Sequence, residues 1–145
     1  MNKPTTSSAA IEFTIPGAAA PQGSKRAIRL RTGRTVLVES SARVKPFRAV
    51  AAVCASQAWN RPPTDEVVGL EVTFRFVRPK SHFTSKGALR SGAPLIPTRI
   101  DLDKLARALG DALTGVIYLD DSQIGAMWLC KEWGDRDETV VSVVI

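Results

Sequence analysis

Apolar and polar residues alternate most clearly in two segments. Ile11, Phe13 and Ile15 share one parity in IEFTI, and Leu70, Val72, Phe74 and Phe76 share one in LEVTFRF against Glu71, Thr73 and Arg75. Period two puts successive side chains on opposite faces of a strand, so each segment predicts a half-buried β-strand, the second in the middle of the fold. PGAAAPQGSKR interrupts the first with Pro and Gly and predicts a loop. AIRLRTGRTVLVES predicts two short strands around Thr32-Gly33, with Ile28 and Leu30 on one face and Arg29 and Arg31 together on the other.

Elsewhere the period becomes helical. Over residues 42–59, Val44, Phe47, Ala51, Cys54 and Ala58 recur at helical spacing, while Arg43, Lys45 and Arg48 fall mostly on the remaining surface. That predicts an amphipathic helix with a basic first half, stopped by the two prolines of NRPPTDE. RPKSHFTSKGALRSGAPLIPT has no period and predicts a long functional or mobile loop. LDKLARALGDAL is helical by Leu102, Leu105, Leu109 and Ala112, and QIGAMWLCKEW and ETVVSVVI predict a last pair of strands around GDRD. The order β, ββ, α, β, α, β, β without a repeat predicts an α+β fold, a mixed sheet carrying about two main helices. At 145 residues one domain is expected, over 9–145, behind a short flexible leader, 1–8, that lacks the apolar stretch of a secretion signal.

Charge changes this picture. The net charge is +6 and the pI about 9.8, yet residues 100–145 hold four basic and nine acidic side chains, a balance of −5, so the first 99 carry +11. Between Ser24 and Arg48 eight Lys or Arg face only Glu39, the composition of a surface that follows phosphates, or of a solvated basic face. The acids gather late: Asp101, Asp103 and Asp111 in and before the second helix, Asp120 and Asp121 in YLDDSQI. Asp103, Arg107 and Asp111 follow at steps of four along one helical face. Asp101 stands where a cap is expected, and an Asp103–Arg107 pair would account for those two without chemistry. Neither explains the adjacent Asp120 and Asp121. Carboxylates clustered without His or Cys suit Mg²⁺ or Mn²⁺, hard cations that take oxygen ligands and retain water, and such a centre in a basic chain suits phosphodiester hydrolysis.

Other chemistries lose their residues. His82 is the sole histidine, in a Lys- and Ser-containing loop that favours a surface or DNA-facing role, so a His-built metal site is excluded. No phosphate-cradling or dinucleotide-binding glycine motif occurs, and no nucleotide cofactor is expected. Cys54 and Cys130 lack paired spacing and read as core thiols, and Trp59, Trp128 and Trp133 read as core before base-stacking residues. No apolar run is long enough to span a membrane, so a cytoplasmic protein is expected.

DLDKLARALGDALTG followed by YLDDSQI and Lys131 resembles the RusA family of Holliday junction resolvases of bacteria and their phages, and TIP…PQGSKR resembles its N-terminal strand and basic loop more loosely. The resemblance implies a small homodimer that binds four-way DNA junctions and makes paired symmetric nicks with Mg²⁺, which Mn²⁺ could replace. It places the catalytic, metal-holding carboxylates at Asp101, Asp103 and Asp121, with Asp120 beside them at the metal. The family's basic position one turn after the second Asp, usually Lys, is Arg107, which can grip phosphate with two donors but is a poor proton donor; Lys104 or Lys131 is the alternative. Lys25, Arg26, Arg29, Arg31, Arg34, Lys80, Lys86, Lys104 and Lys131 are the expected DNA contacts. A general branched or flap nuclease, and a non-catalytic junction- or single-strand-binding module, remain the other readings of the same residues.

Overall fold

The computed structural model describes residues 11–23, 25–39 and 42–145; at 25, 26, 38 and 39 it describes the backbone alone. The expected leader, 1–8, lies outside the described residues.

Six strands and two helices follow the expected order: β1 (Ile11–Pro16), β2 (Lys25–Arg29), β3 (Thr35–Glu39), α1 (Val44–Trp59), β4 (Val68–Val77), α2 (Leu102–Leu113), β5 (Ile124–Gly134) and β6 (Glu138–Val144). Four strands form one mixed sheet in the order β1-β6-β4-β5, antiparallel except for the β4–β5 pair, while β2 and β3 pair only with each other. A parallel neighbour cannot be reached by a tight turn, and here the chain returns from β4 to β5 through α2. The sheet's centre is β4, as its alternation predicts: Val68, Leu70, Val72, Phe74 and Phe76 are buried.

The register puts Phe13 and Ile15 of β1, Val141 and Val143 of β6, and Leu129 of β5 on the same face as these β4 residues. Both helices pack on that face. Val44, Phe47, Ala51, Ala55 and Trp59 are the buried stripe of α1, and Leu105, Ala108, Leu109, Ala112 and Leu113 that of α2. Each large aliphatic or aromatic side chain so buried contributes roughly 1.5–3 kcal/mol relative to exposure, enough together to fix which face the helices cover. Pro46 sits in the first turn of α1, where its missing N–H costs nothing, and Asn60 ends the helix with φ 46°, before Pro62 and Pro63.

The opposite face of the sheet is uncovered. Arg75 bridges Glu132 at 2.7 Å and Glu138 at 3.0 Å there, and the Ser142 hydroxyl donates to Glu12 at 2.9 Å. Cys130 lies on this face, opposite Thr73 in the register, so it is not the core thiol expected; Cys54 is half-buried against the core, and both are free. β2 stops at Arg29, so Arg31 lies in the turn, not on a shared strand face with Arg29. That turn is closed by Gly33 N–H to Leu30 O (2.9 Å) and Leu30 N–H to Arg34 O (2.8 Å), and Gly33 takes φ 82°, open to glycine without a Cβ penalty. Arg29, Arg31 and Arg34 are exposed together at the hairpin tip. The aperiodic stretch after β4 is folded back on itself, with a 3₁₀ turn at Lys80–His82, a Phe83–Leu89 bridge and an Arg90 N–H to His82 O bond of 2.8 Å. No described helix is long and apolar enough to cross a membrane.

Candidate active site

α2 is the frame of the site. Its leucines fasten one side to the sheet, so the residues at the other parity of the helix, Asp103, Arg107 and Asp111, must face solvent. Between the exposed and buried stripes lie Ala106 and Gly110, and across from them Gly125, Ala126 and Met127 of β5. These small residues leave an open cavity of about 500 Å³ lined by Asp103, Arg107 and Asp121. Two carboxylates far apart in sequence thus share one concavity with the arginine one helical turn after Asp103.

Asp121 reaches this cavity because the segment between α2 and β5 is held at several points. The Tyr118 hydroxyl, fully buried, donates to Gly110 O at 2.7 Å, and the same carbonyl accepts from the Thr114 hydroxyl at 2.9 Å. Gln123 accepts the backbone N–H groups of Leu119 and Asp120 on its Oε1, at 2.9 Å each, and donates from Nε2 to the carbonyls of Thr64 and Glu66, also at 2.9 Å each. Burial pushes the Tyr118 phenol well above its ordinary pKa, and the negative charges of Asp121 and Asp111 push it further against one hydrogen bond with Thr114 that lowers it. Tyr118 therefore stays a neutral donor.

The neighbouring acids divide by role. Asp120 caps the 3₁₀ turn Asp121–Gln123 in a reciprocal capping box, accepting the Ser122 N–H at 2.9 Å, and hydrogen bonds from the Ser122 hydroxyl and N–H hold its carboxyl below the usual range. Asp121, one residue on, makes no ion pair among the described residues, and its carboxyl interacts with that of Asp120. Asp111 pairs with Arg48 at 3.5 Å, clipping α2 to α1 at a partly exposed position where such a pair is worth about 0–1 kcal/mol. Asp101 occupies the N-cap position of α2, but its side chain makes no cap hydrogen bond; it lies 3.4 Å from Lys104 Nζ and does not line the cavity. The anticipated Asp103–Arg107 ion pair is not formed, which leaves both groups free to meet a ligand. Lys131 points to the helix side of the sheet and donates to Ile100 O at 2.6 Å, fixing the residue before Asp101.

Of the expected DNA contacts, Arg29, Arg31, Arg34, Lys80 and Lys86 are exposed on the hairpin and the long loop, away from the cavity lining; the side chains of Lys25 and Arg26 lie outside the description. Gln123, Tyr118 and the small residues Ala106 and Gly110 escape a reading based on charge. The first was visible as the fourth position of an Asp-x-x-Gln capping box.

Among the described residues no three His, Cys, Asp or Glu side chains gather into a ready-made metal cage. The metal donors at the cavity, Asp103 and Asp121, are nevertheless all oxygen, outside any ion pair and open to solvent. That donor set fits a Mg²⁺-like ion, which keeps several of its waters and binds through one or two carboxylates plus substrate phosphate.

The family model described as endodeoxyribonuclease RusA matches residues 16–144. The chain is also 29% identical over 143 residues to the uncharacterized protein YqaN of Bacillus subtilis (strain 168), spanning 92% of this chain and 94% of that one.

Proposed function

The chain belongs to the endodeoxyribonuclease RusA family, and from that premise we propose that it is a Mg²⁺-dependent endonuclease that resolves four-way DNA junctions by paired symmetric nicks. The observation that carries this reading is the shared cavity: Asp103, Arg107 and Asp121 line it together, with no partner spent on one another. Asp103 and Asp121 would hold the ion, and Asp101, one residue before α2 and outside the cap hydrogen bond, would join them. When bound, the ion offsets phosphate charge and supplies an acidified water as nucleophile.

The remaining work falls to the chain's own residues. Arg107, one helical turn after Asp103, grips a non-bridging phosphate oxygen pair in the planar geometry that guanidinium provides and ammonium does not. Lys131 holds the Ile100 carbonyl, so the backbone that presents Asp101 keeps its place. Tyr118 and Gln123 do the same for Asp121. The exposed arginines of the hairpin tip and the lysines at 80 and 86 bind backbone phosphates, and sequence-independent contacts of this kind suit recognition of a branch by shape. Two copies acting as a homodimer would bring one cavity to each of two symmetry-related strands.

The test is nicking of a four-way junction, a duplex and a flap by the purified chain, with Mg²⁺ and with EDTA, beside Asp103→Asn. We expect Mg²⁺-dependent paired cuts in the junction above all, and an Asp103→Asn variant that binds the junction as tightly or more tightly but cuts it at least about 100-fold more slowly, since it loses a ligand while shedding a charge that repels phosphate. Normal cutting by the variant would reduce Asp103 to a surface residue of α2. Preferred cutting of flaps would make the protein a general branched-DNA nuclease.

A further inference from the structure

A second and larger cavity, about 540 Å³, opens beside Ile100, between the folded-back loop and the ends of β4 and β5. Arg43, Phe76, His82, Arg99, Trp133 and Asp137 are among its walls. None of the residues expected to hold metal lies in it, whereas His82, expected in a surface or DNA-facing role, does.

Its construction is specific. The Trp133 indole N–H donates to Pro94 O at 3.0 Å, and Arg78 donates to the same carbonyl at 2.9 Å, which pins the loop over the end of the sheet. His82 stands edge-to-face with Trp133 at 5.4 Å, its own carbonyl held by Arg90 N–H. Yet the His82 Nδ1 is buried and has no hydrogen-bond partner. That nitrogen is sealed from solvent, so His82 lines the cavity through its other atoms. Arg43 and Arg99 carry no ion pair among the described residues, while Asp137 already accepts the Val77 N–H at 2.9 Å. The walls therefore offer two free guanidinium groups and the aromatic surface of Phe76, His82 and Trp133.

A bare anion would use the arginines and leave the aromatic wall and His82 idle; an apolar ligand would do the reverse. A nucleotide uses both the arginines and the aromatic rings, having a phosphate and a π-face. The volume is that of an ordinary small-ligand pocket. Ile100 lines this cavity and is followed by Asp101, the N-cap residue of α2, so the cavity opens near the start of the helix that carries Asp103 and Arg107.

We propose that this cavity receives one unstacked nucleotide of the bound DNA strand beside the cut, with Arg43 and Arg99 on its phosphates and the His82 and Trp133 rings against its base. The inference rests on the nuclease reading only for its partner, DNA. It gives the enzyme a place to read a base, where the exposed arginines and lysines read only backbone.

The experiment uses the full chain and a four-way junction in EDTA, with 2-aminopurine placed at one position at a time around the exchange point. At saturating protein, one position on each symmetry-related strand should brighten at least about threefold as its base leaves the stack. His82→Ala and Arg43→Ala/Arg99→Ala should each abolish most of that rise under the same saturation, and His82→Phe, which restores a flat ring in the loop, should regain part of it. No brightened position, or one unchanged in all three variants, overturns the proposal. Because the readout needs no cutting, a brightened junction that Mg²⁺ never lets the protein nick would sink the nuclease reading alone, whereas normal nicking with every base still stacked would sink the pocket alone.

Discussion

The acidic site and the basic hairpin are built on opposite terms. Asp103 and Arg107 ride on a helix whose other side is buried, and Asp121 is placed by a buried tyrosine and a glutamine with four hydrogen bonds. The hairpin's arginines sit at the tip of two strands that, among the described residues, pair only with each other, beside Leu37 and Leu30, exposed at 69% and 43%. A lone two-stranded ribbon is marginal in water, while a helix packed on a sheet opens only at a cost near that of global unfolding. The difference matches the two tasks. Hydrolysis demands side chains fixed to a fraction of an ångström, whereas holding phosphates on a branched, uneven DNA surface is served by an arm that can adjust.

The sharpest way to break that comparison is to remove one carboxylate from the rigid side. Asp121→Asn should lower Mg²⁺-dependent nicking at least about 100-fold, while Asp120→Asn, whose amide can still cap the turn, should change it less than about threefold. Thermal melting gives a second readout: a ligand that binds only the folded state raises its melting temperature, so Mg²⁺ should stabilise wild type and Asp120→Asn alike and Asp121→Asn much less, and EDTA should erase the differences. Equal Mg²⁺ stabilisation of Asp121→Asn and wild type would take Asp121 out of the metal site.

Why Asp120 and Asp121 part company was only half legible in the sequence. Adjacent acids in extended chain point apart, but which one turns to the cavity depends on the capping box with Gln123 and on contacts to Thr64 and Glu66, nearly sixty residues away. The same holds for the sheet. The order of elements and the central place of β4 follow from local periodicity, and α2 begins and ends where its leucines predict. The strand order β1-β6-β4-β5 does not, because pairing across the chain is set by tertiary contacts and not by period. β5 hid Lys131 for another reason. Met127, Leu129 and Trp133 lie on one face and Trp128 and Cys130 on the other, so its alternation is blurred, and the lysine's turn toward Ile100 had no local signal.

The hairpin supplies the middle-sized effect. Replacing Arg29 and Arg31 by Ala should weaken binding to every DNA shape and flatten the salt dependence by about one unit of log slope per lost phosphate contact, with the cutting rate of the saturated complex little changed. An unaltered slope would place the hairpin away from DNA. Hydrogen exchange sharpens the same point: amides of β2 and β3 should exchange far faster than those of β4 in the free protein and become protected on the junction, while β4 is unmoved.

The smallest expected effect tests the rigidity itself. Tyr118→Phe removes one donor from Gly110 O, but that carbonyl keeps the Thr114 hydroxyl at 2.9 Å and N–H at 3.2 Å, so no acceptor is orphaned and the loss of stability should be about 1 kcal/mol. Nicking should fall less than about tenfold, because Gln123 still ties the segment that carries Asp121 to Thr64 and Glu66. The pH dependence gives an independent check. Burial raises the Tyr118 phenol's pKa in the folded state above its unfolded value, so the folded protein retains a proton that the unfolded chain gives up; this contribution is intact below about pH 10 and is lost as pH climbs beyond it. Tyr118 is the one tyrosine in the chain. Denaturant titrations should therefore show wild-type stability dropping more steeply above about pH 10 than that of Tyr118→Phe. If the two curves run parallel through that range, the phenol is not held as a buried neutral donor, and the anchoring of Asp121 must rest on Gln123 alone.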